Sequence, residues 1–288
     1  GPIMDAGFPD KSFWPVTFVG IALMLVALRG RSTGSALLVG FVGGFAFYLT
    51  HISWASLFLG PVPMLALSFL ESLFVALGGL AIALAYRWIP RVYGAGWGAT
   101  LGLAVVVSGL WTAREAWMSV WPYGGFSWGR VALSQSESPL SPLFPWLGVS
   151  GVSFAMVLVV ALCLSAAEYS WRHYTSLPLD ARSQHTSRVL RTAFVPVAIF
   201  TILLNVPTWQ STLEGTLRVG AVQGNGKAAY FDQRERGDLL NAQLSATEPL
   251  YGQDLDLVVW PEGGTDVSPL SNSYAASAFD YVVDKAGA

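Results

Sequence analysis

Long apolar segments constrain this chain more than anything else in it. Six are long enough to be candidates for crossing a bilayer, which takes about 20 residues. They lie near 12–28, 34–59, 64–89, 97–120, 143–168 and 189–209. Hydrocarbon satisfies no backbone polar group, so segments of this kind must be helices. The balance of the chain agrees: 53% of residues are hydrophobic and 12% charged, against about 25% charged in soluble domains. Twelve tryptophans and 30 glycines suit membrane interfaces and close helix approach. The first segment opens with Phe13-Trp14-Pro15, an interfacial start. Gly1-Pro2 reads as a protease-cleavage remnant, and residues 1–11 as a lead-in on the extracytoplasmic side.

Orientation follows from arginine in the short loops. Arg29 and Arg31 follow the first segment, and Arg87 and Arg91 the third; Arg172, Arg182, Arg188 and Arg191 precede the sixth. The loop at Gly60-Pro61-Val62-Pro63 has no cation, and the one between Trp121 and Pro142 has only Arg130. This alternation places the arginine-rich loops in the cytoplasm, Arg182 among them. Trp128 and everything beyond Trp209 then lie outside. A membrane domain over 12–212 with about six helices is expected.

Past Thr212 the pattern changes. Leu217 to Gln223 is strand-like, and residues 231–248 are polar with Leu240, Leu244 and Thr247 at helical spacing. Residues 255–260 form a second strand, and 273–286 a second helix with Ala275, Phe279 and Val282 on one stripe. Strand, helix, strand, helix implies a mainly parallel sheet covered on both faces. About 75 residues are too few to complete one, because the last strand keeps an open edge and an uncovered face. The chain therefore reads as cut short.

Asp256-Leu257-Val258-Val259-Trp260-Pro261-Glu262 is the chemically most telling stretch. A short apolar strand delivers one carboxylate at its C-terminal end, where α/β folds present functional groups. Gly224-Asn225-Gly226 is a turn after a strand and lacks phosphate-loop spacing. A net charge of −2 without a basic run speaks against nucleic acid. One cysteine and three histidines speak against a disulfide framework or a metal site, and no cofactor is expected. Glu71 reads as either a hydrogen-bonded packing residue or a headgroup contact. Glu115, beside Arg114 near a helix end, reads as interfacial, and His51 as a satisfied interfacial histidine.

Val219-Gly220-Ala221-Val222-Gln223-Gly224-Asn225, followed by Val258-Val259-Trp260-Pro261-Glu262, resembles the start of the nitrilase domain of bacterial apolipoprotein N-acyltransferases. Trp121-Pro122-Tyr123-Gly124-Gly125-Phe126-Ser127-Trp128-Gly129, with Leu133 to Leu140 after it, is similar to that family's long extracytoplasmic loop, in an actinobacterial version. The resemblance implies a polytopic α-helical membrane domain followed, over 213–288, by the start of a nitrilase-like α-β-β-α sandwich outside the bacterial cytoplasmic membrane. It also implies a mechanism. A Glu, Lys and Cys act together, and the Cys takes an acyl chain from a phospholipid as a thioester. The chain then passes to the α-amine of a diacylglyceryl-cysteine lipoprotein.

Glu262 matches the family's glutamate and would be the general base. Trp209, Gln223, Trp128, Phe126 and Tyr123 are candidate substrate contacts, while interfacial anchoring is the plainer role for Trp209 and the loop aromatics. In the family the catalytic Lys and Cys lie well downstream of Trp-Pro-Glu, so Lys285 comes too early. Cys163 sits inside an apolar segment, unsuited to a reactive thiolate. The family also has one span before the first seen here and one after its nitrilase domain. Residues 1–288 alone are thus expected to be inactive. Two other functions fit parts of the pattern. One is an inactive membrane scaffold for a partner such as a polyprenol-linked glycosyltransferase. The other is a transporter, against which stands the lack of paired broken helices with charged midplane residues.

Overall fold

The computed structural model describes residues 1–94, 96–176, 186–227 and 232–288. Arg182 lies outside them. Two compact units emerge: Gly1–Trp54 with Val62–Trp209, and Ala55–Pro61 with Gln210–Ala288.

The first unit is helical. It holds α1 (Pro2–Asp5), α2 (Pro15–Leu28) and α3 (Thr33–His51); α4 (Ser56–Leu59) belongs to the second unit, and the bundle resumes with α5 (Pro61–Tyr93). It continues through α6 (Trp97–Met118), α7 (Phe144–Ser176) and α8 (Thr186–Leu204). Local chemistry sets these limits. Pro15 and Pro61 open α2 and α5 where a missing N–H costs nothing. The hydroxyl of Ser32 accepts from Ser35 N at 3.4 Å and caps α3. Gly148 at φ 62° breaks the helical run near the start of α7.

Among the described residues three stretches are long and apolar enough to cross a membrane: Thr33–His51, Pro61–Tyr93 and Ser141–Trp171. Pro15–Leu28 and Ala193–Leu204 are apolar but shorter. α6 coincides with the fourth expected segment but carries Arg114 and Glu115.

Helix α7 is the hub. α2, α6 and α8 all pack on it, and Val152, Met156, Val157, Val160, Ala161 and Leu162 are buried. A helix buried on several sides is apolar on several sides. α3 and α5 meet through small residues: a Cβ on Gly40 would lie 2.7 Å from Ala76 Cα and one on Gly79 3.4 Å from Gly40 Cα. That is how membrane helices gain van der Waals contact without a hydrophobic drive between them.

The bundle has two chemically distinct ends. At one, Arg29 Nη1 meets Glu168 Oε2 at 2.6 Å and lies over the Tyr86 ring, and Arg87 donates to Arg31 O at 2.6 Å. At the other, Ser12 reaches Glu137, Gln135 Nε2 reaches Trp14 O, and Trp146 Nε1 donates to Pro207 O at 2.9 Å. The arginines after α2 and α5 thus share one end, and residues 119–143 share the other with the exit of α8.

The second unit contains β1 (Val219–Ala221), α9 (Asp238–Thr247), β2 (Leu257–Val259) and α10 (Ser273–Ala286). The strands are parallel in the register Val219↔Leu257, Gly220↔Val258, Ala221↔Val259. Leu240, Val267, Ala275 and Ala278 form the core, with Leu244, Trp260 and Phe279 against it.

Several expectations change. The segment 34–59 is no single span: α3 stops at His51, where Thr50 turns its hydroxyl onto the carbonyls of Ala46 and Phe47. The strands are three residues each, and the helix between them begins at 238, after Gly237 at φ 104°. The sheet is covered on one face only among the described residues. Val219, Leu257 and Val259 remain 44–49% exposed, while a Cβ on Gly220 would run into Leu250 and Leu255. Pro2 opens α1, and a Cβ on Gly1 would lie against Ala46 and Phe47.

Candidate functional site

In the second unit, chain geometry converges on the carboxyl ends of the two strands. Val222 N donates to Val259 O at 3.0 Å, which extends the pairing one step past β1. Residues 223–226 and 260–263 therefore leave the sheet side by side. Gln243 of α9 fixes the first of these turns: its Oε1 accepts from Gly224 N at 2.7 Å and its Nε2 donates to Val222 O at 2.7 Å. Gly224 has no room for a Cβ against Gln243, which explains a glycine there. The second turn is held by Trp260. Its Nε1 donates to Thr247 Oγ1 at 3.1 Å and its ring packs on Phe279 at 4.9 Å.

Pro261 and Glu262 follow. Gly264 N closes the turn onto Pro261 O at 3.0 Å, with Gly263 at φ 70°. Glu262 is exposed. No hydrogen bond or ion pair engages its carboxylate among the described residues, so both oxygens are free to accept a proton. Gln223 is exposed on the adjacent turn. Asp256, at the opposite end of β2, instead accepts from Arg218 N at 2.7 Å and has a structural job.

In the first unit, the loop after α6 folds back at Gly124-Gly125. Both glycines have positive φ, and a Cβ on Gly125 would overlap the Ser119 backbone. Phe126 N then reaches Met118 O at 2.8 Å. The loop's aromatics form a cluster: Trp128 stacks on Phe126 at 6.3 Å and tilts on Trp54 at 5.1 Å, and Phe126 contacts Tyr48. Tyr123 is not part of it, being wholly exposed at φ 52°. Trp209 lies edge-on to Trp146 at 4.6 Å, half-exposed.

Glu115, in the last turn of α6, is fully buried, and its Oε1 accepts from Trp111 Nε1 at 2.8 Å and from Val131 N at 3.1 Å. It therefore ties α6 to the far end of the loop. Glu71 is also buried, with Oε2 unpaired. His51 is satisfied on both nitrogens, by Asp5 Oδ1 and Trp128 O, each at 3.0 Å. Sequence reading missed Gln243, Trp54 and the anchoring role of Glu115. Of these, only the Trp111–Glu115 pair, spaced i and i+4, carried a local signal. Among the described residues no group of three potential ligands could hold a metal ion.

Comparison with known proteins now adds a finding. The family description "Apolipoprotein N-acyltransferase N-terminal domain" matches residues 1–162. The chain is 31% identical over 288 residues to the apolipoprotein N-acyltransferase of Azotobacter vinelandii, covering 96% of this chain and 51% of that protein. It is 28% identical over 275 residues to that of Pseudomonas syringae pv. tomato, covering 93% and 51%, and 29% identical over 296 residues to that of Pseudomonas paraeruginosa, covering 100% and 54%. The chain thus spans about half the length of these curated relatives.

Proposed function

Because the chain belongs to the apolipoprotein N-acyltransferase family, we propose that the intact protein N-acylates the diacylglyceryl-cysteine of lipoproteins in a bacterial cytoplasmic membrane. The donor is a phospholipid, and the acyl group passes through a cysteine thioester. Glu262 is the general base, first toward the thiol and then toward the incoming ammonium. One observation carries this reading: among the described residues the carboxylate has no partner, in a turn at the carboxyl end of two parallel strands, beside Gln223. An acid kept free of partners at that edge suits proton transfer better than structural support.

The membrane unit crosses the bilayer about six times, with α2, α3, α5, α6, α7 and α8 as the spans. The arginine-bearing end faces the cytoplasm, and the end with residues 119–143 and Trp209 faces outward, as does the nitrilase-like unit. α2, at 14 residues, is about 21 Å long, short of the roughly 30 Å core. Local thinning or snorkelling of its flanks accommodates the difference. Phe126, Trp128 and Trp209 contact lipid substrate at the outer surface, with Tyr123 at the loop's exposed tip.

Cys163 is not the nucleophile. It lines an apolar cleft between α2, α7 and α8, among Phe18, Val160 and Phe200. Residues 1–288 alone should form no acyl adduct with phospholipid; mass spectrometry showing an adduct on Cys163 that a lipoprotein acceptor removes would refute this. The reading as a whole is tested by incubating the intact gene product with phospholipid and a diacylglyceryl lipopeptide. Triacylated product is expected from the wild type. Failure to form it with well-folded protein would leave the scaffold reading, with a glycosyltransferase partner, in its place.

A further inference from the structure

Glu262 hangs on a segment with two anchors. On the way in, Trp260 is fixed by its bond to Thr247 Oγ1 at 3.1 Å and by its packing on Phe279. On the way out, Asp266 Oδ2 accepts from Gly237 N at 2.8 Å, and Val267 is buried in the core of the second unit. Between the anchors lie Pro261, Glu262, Gly263, Gly264 and Thr265. Two consecutive glycines impose little backbone preference of their own, so the anchors decide where the carboxylate stands. Both polar anchors fall on α9: Gly237 is its N-cap and Thr247 its last residue. A helix of 10 residues is about 15 Å long, so α9 holds the segment from both of its ends. Gln243, between those ends, holds the turn after β1. One rigid element thus sets the position of both turns at the carboxyl edge of the strands.

We infer that Asp266 is a positioning residue for Glu262, one that fixes the presenting turn by anchoring its far end to the start of α9. Chemistry favours a carboxylate there. An N–H at a helix N-terminus carries positive partial charge, and a hydrogen bond to a charged acceptor is stronger than a neutral one. Oδ1 of Asp266 is buried and has no hydrogen-bond partner among the described residues, so Gly237 N is the one polar tie of this side chain that they supply. The helix has a second acid in its first turn, Asp238, whose Oδ2 accepts from Glu235 N at 2.8 Å. Loss of Asp266 therefore leaves α9 a carboxylate at its start, and releases the turn rather than the helix. That the positioned acid moves a proton rests on the acyltransferase reading; the anchoring of the turn does not.

Two readouts on the intact protein test this. In Asp266→Ala, amide exchange at Gly264, whose N–H closes the turn, and at Thr265 should speed up about tenfold or more, since a hydrogen bond to a charged group is lost. Exchange in α10 should stay at the wild-type rate. Single-turnover acylation at saturating phospholipid should slow by about tenfold to a hundredfold, the scale of loss that an ångström of misplacement brings. The half-saturating phospholipid concentration should not change. Asp266→Asn, which keeps an accepting oxygen, should bring both readouts back near wild type. Should Asp266→Ala fail to fold, Asp266→Glu, which keeps the charge and displaces the carboxylate by one methylene, is read in its place with the same expectations. Unchanged exchange in the turn would overturn the inference. So would a loosened turn with wild-type acylation, or a loss confined to the half-saturating concentration. If the wild type forms no acyl-enzyme, the enzymatic reading fails, and exchange alone decides whether Asp266 holds the turn.

Discussion

At the scale of single residues, buried carboxylates do different work from exposed ones. Glu115 has no solvent and two donors on one oxygen, from Trp111 and Val131. Replacing it by alanine leaves both donors unpaired in a dry site, at a cost of about 1–3 kcal/mol each. Glu115→Ala should therefore lower the thermal midpoint of the purified protein well below that of the wild type, and Glu115→Gln should recover part of the loss. An unchanged midpoint for both would show that the loop is held by other means. Glu262 has no such partners, and its removal should leave stability alone.

The contrast also shows what could be read from the sequence. The position of Glu262 just past a strand end was legible because Trp260 and Pro261 follow the apolar run of β2. The i, i+4 spacing of Trp111 and Glu115 and a satisfied His51 were within reach of the sequence, but Val131, Asp5 and Trp128 lie 16, 46 and 77 positions from them, and no local pattern names those partners.

At the scale of elements, periodicity worked where one face is buried and failed where a single contact ends a run. The stripe Ala275, Phe279, Val282 foretold α10 over 273–286 because those side chains do pack inward. α3 ends at His51 although the apolar run continues, and hydropathy does not see that end. The strands came out shorter than their apolar runs because pairing stops where Gln243 and Trp260 turn the chain. The α3–α5 crossing gives a prediction of its own. Gly40→Leu would drive a side chain into Ala76 and Val75 O, and overpacking of this kind costs about 1–3 kcal/mol. Gly34→Leu, where nothing lies within 4 Å, is the control. Thermal scanning in detergent should show a clear drop for the first and little for the second; equal behaviour would mean the helices do not meet as described.

At the scale of the whole molecule, the proposed topology ties the arginine pattern to the sorted ends of the bundle. In a Cys163→Ala background, single cysteines at Trp128 and Glu262 should react with an impermeant reagent added to intact cells, and cysteines at Arg31 and Arg182 should not. Labelling at 31 or 182 without labelling at 128 would invert the arrangement. The central claim, however, is that Glu262 moves a proton during acyl transfer. General-base assistance is typically worth about 10²–10⁴ in rate. The most direct measurement is single-turnover formation of the acyl-enzyme by the intact protein with phospholipid, comparing wild type, Glu262→Gln and Asp256→Asn. Glu262→Gln should slow acylation by a factor in that range with an unchanged thermal midpoint, and Asp256→Asn should stay close to the wild-type rate. Near wild-type acylation by Glu262→Gln would contradict the account and leave the carboxylate a bystander in its turn.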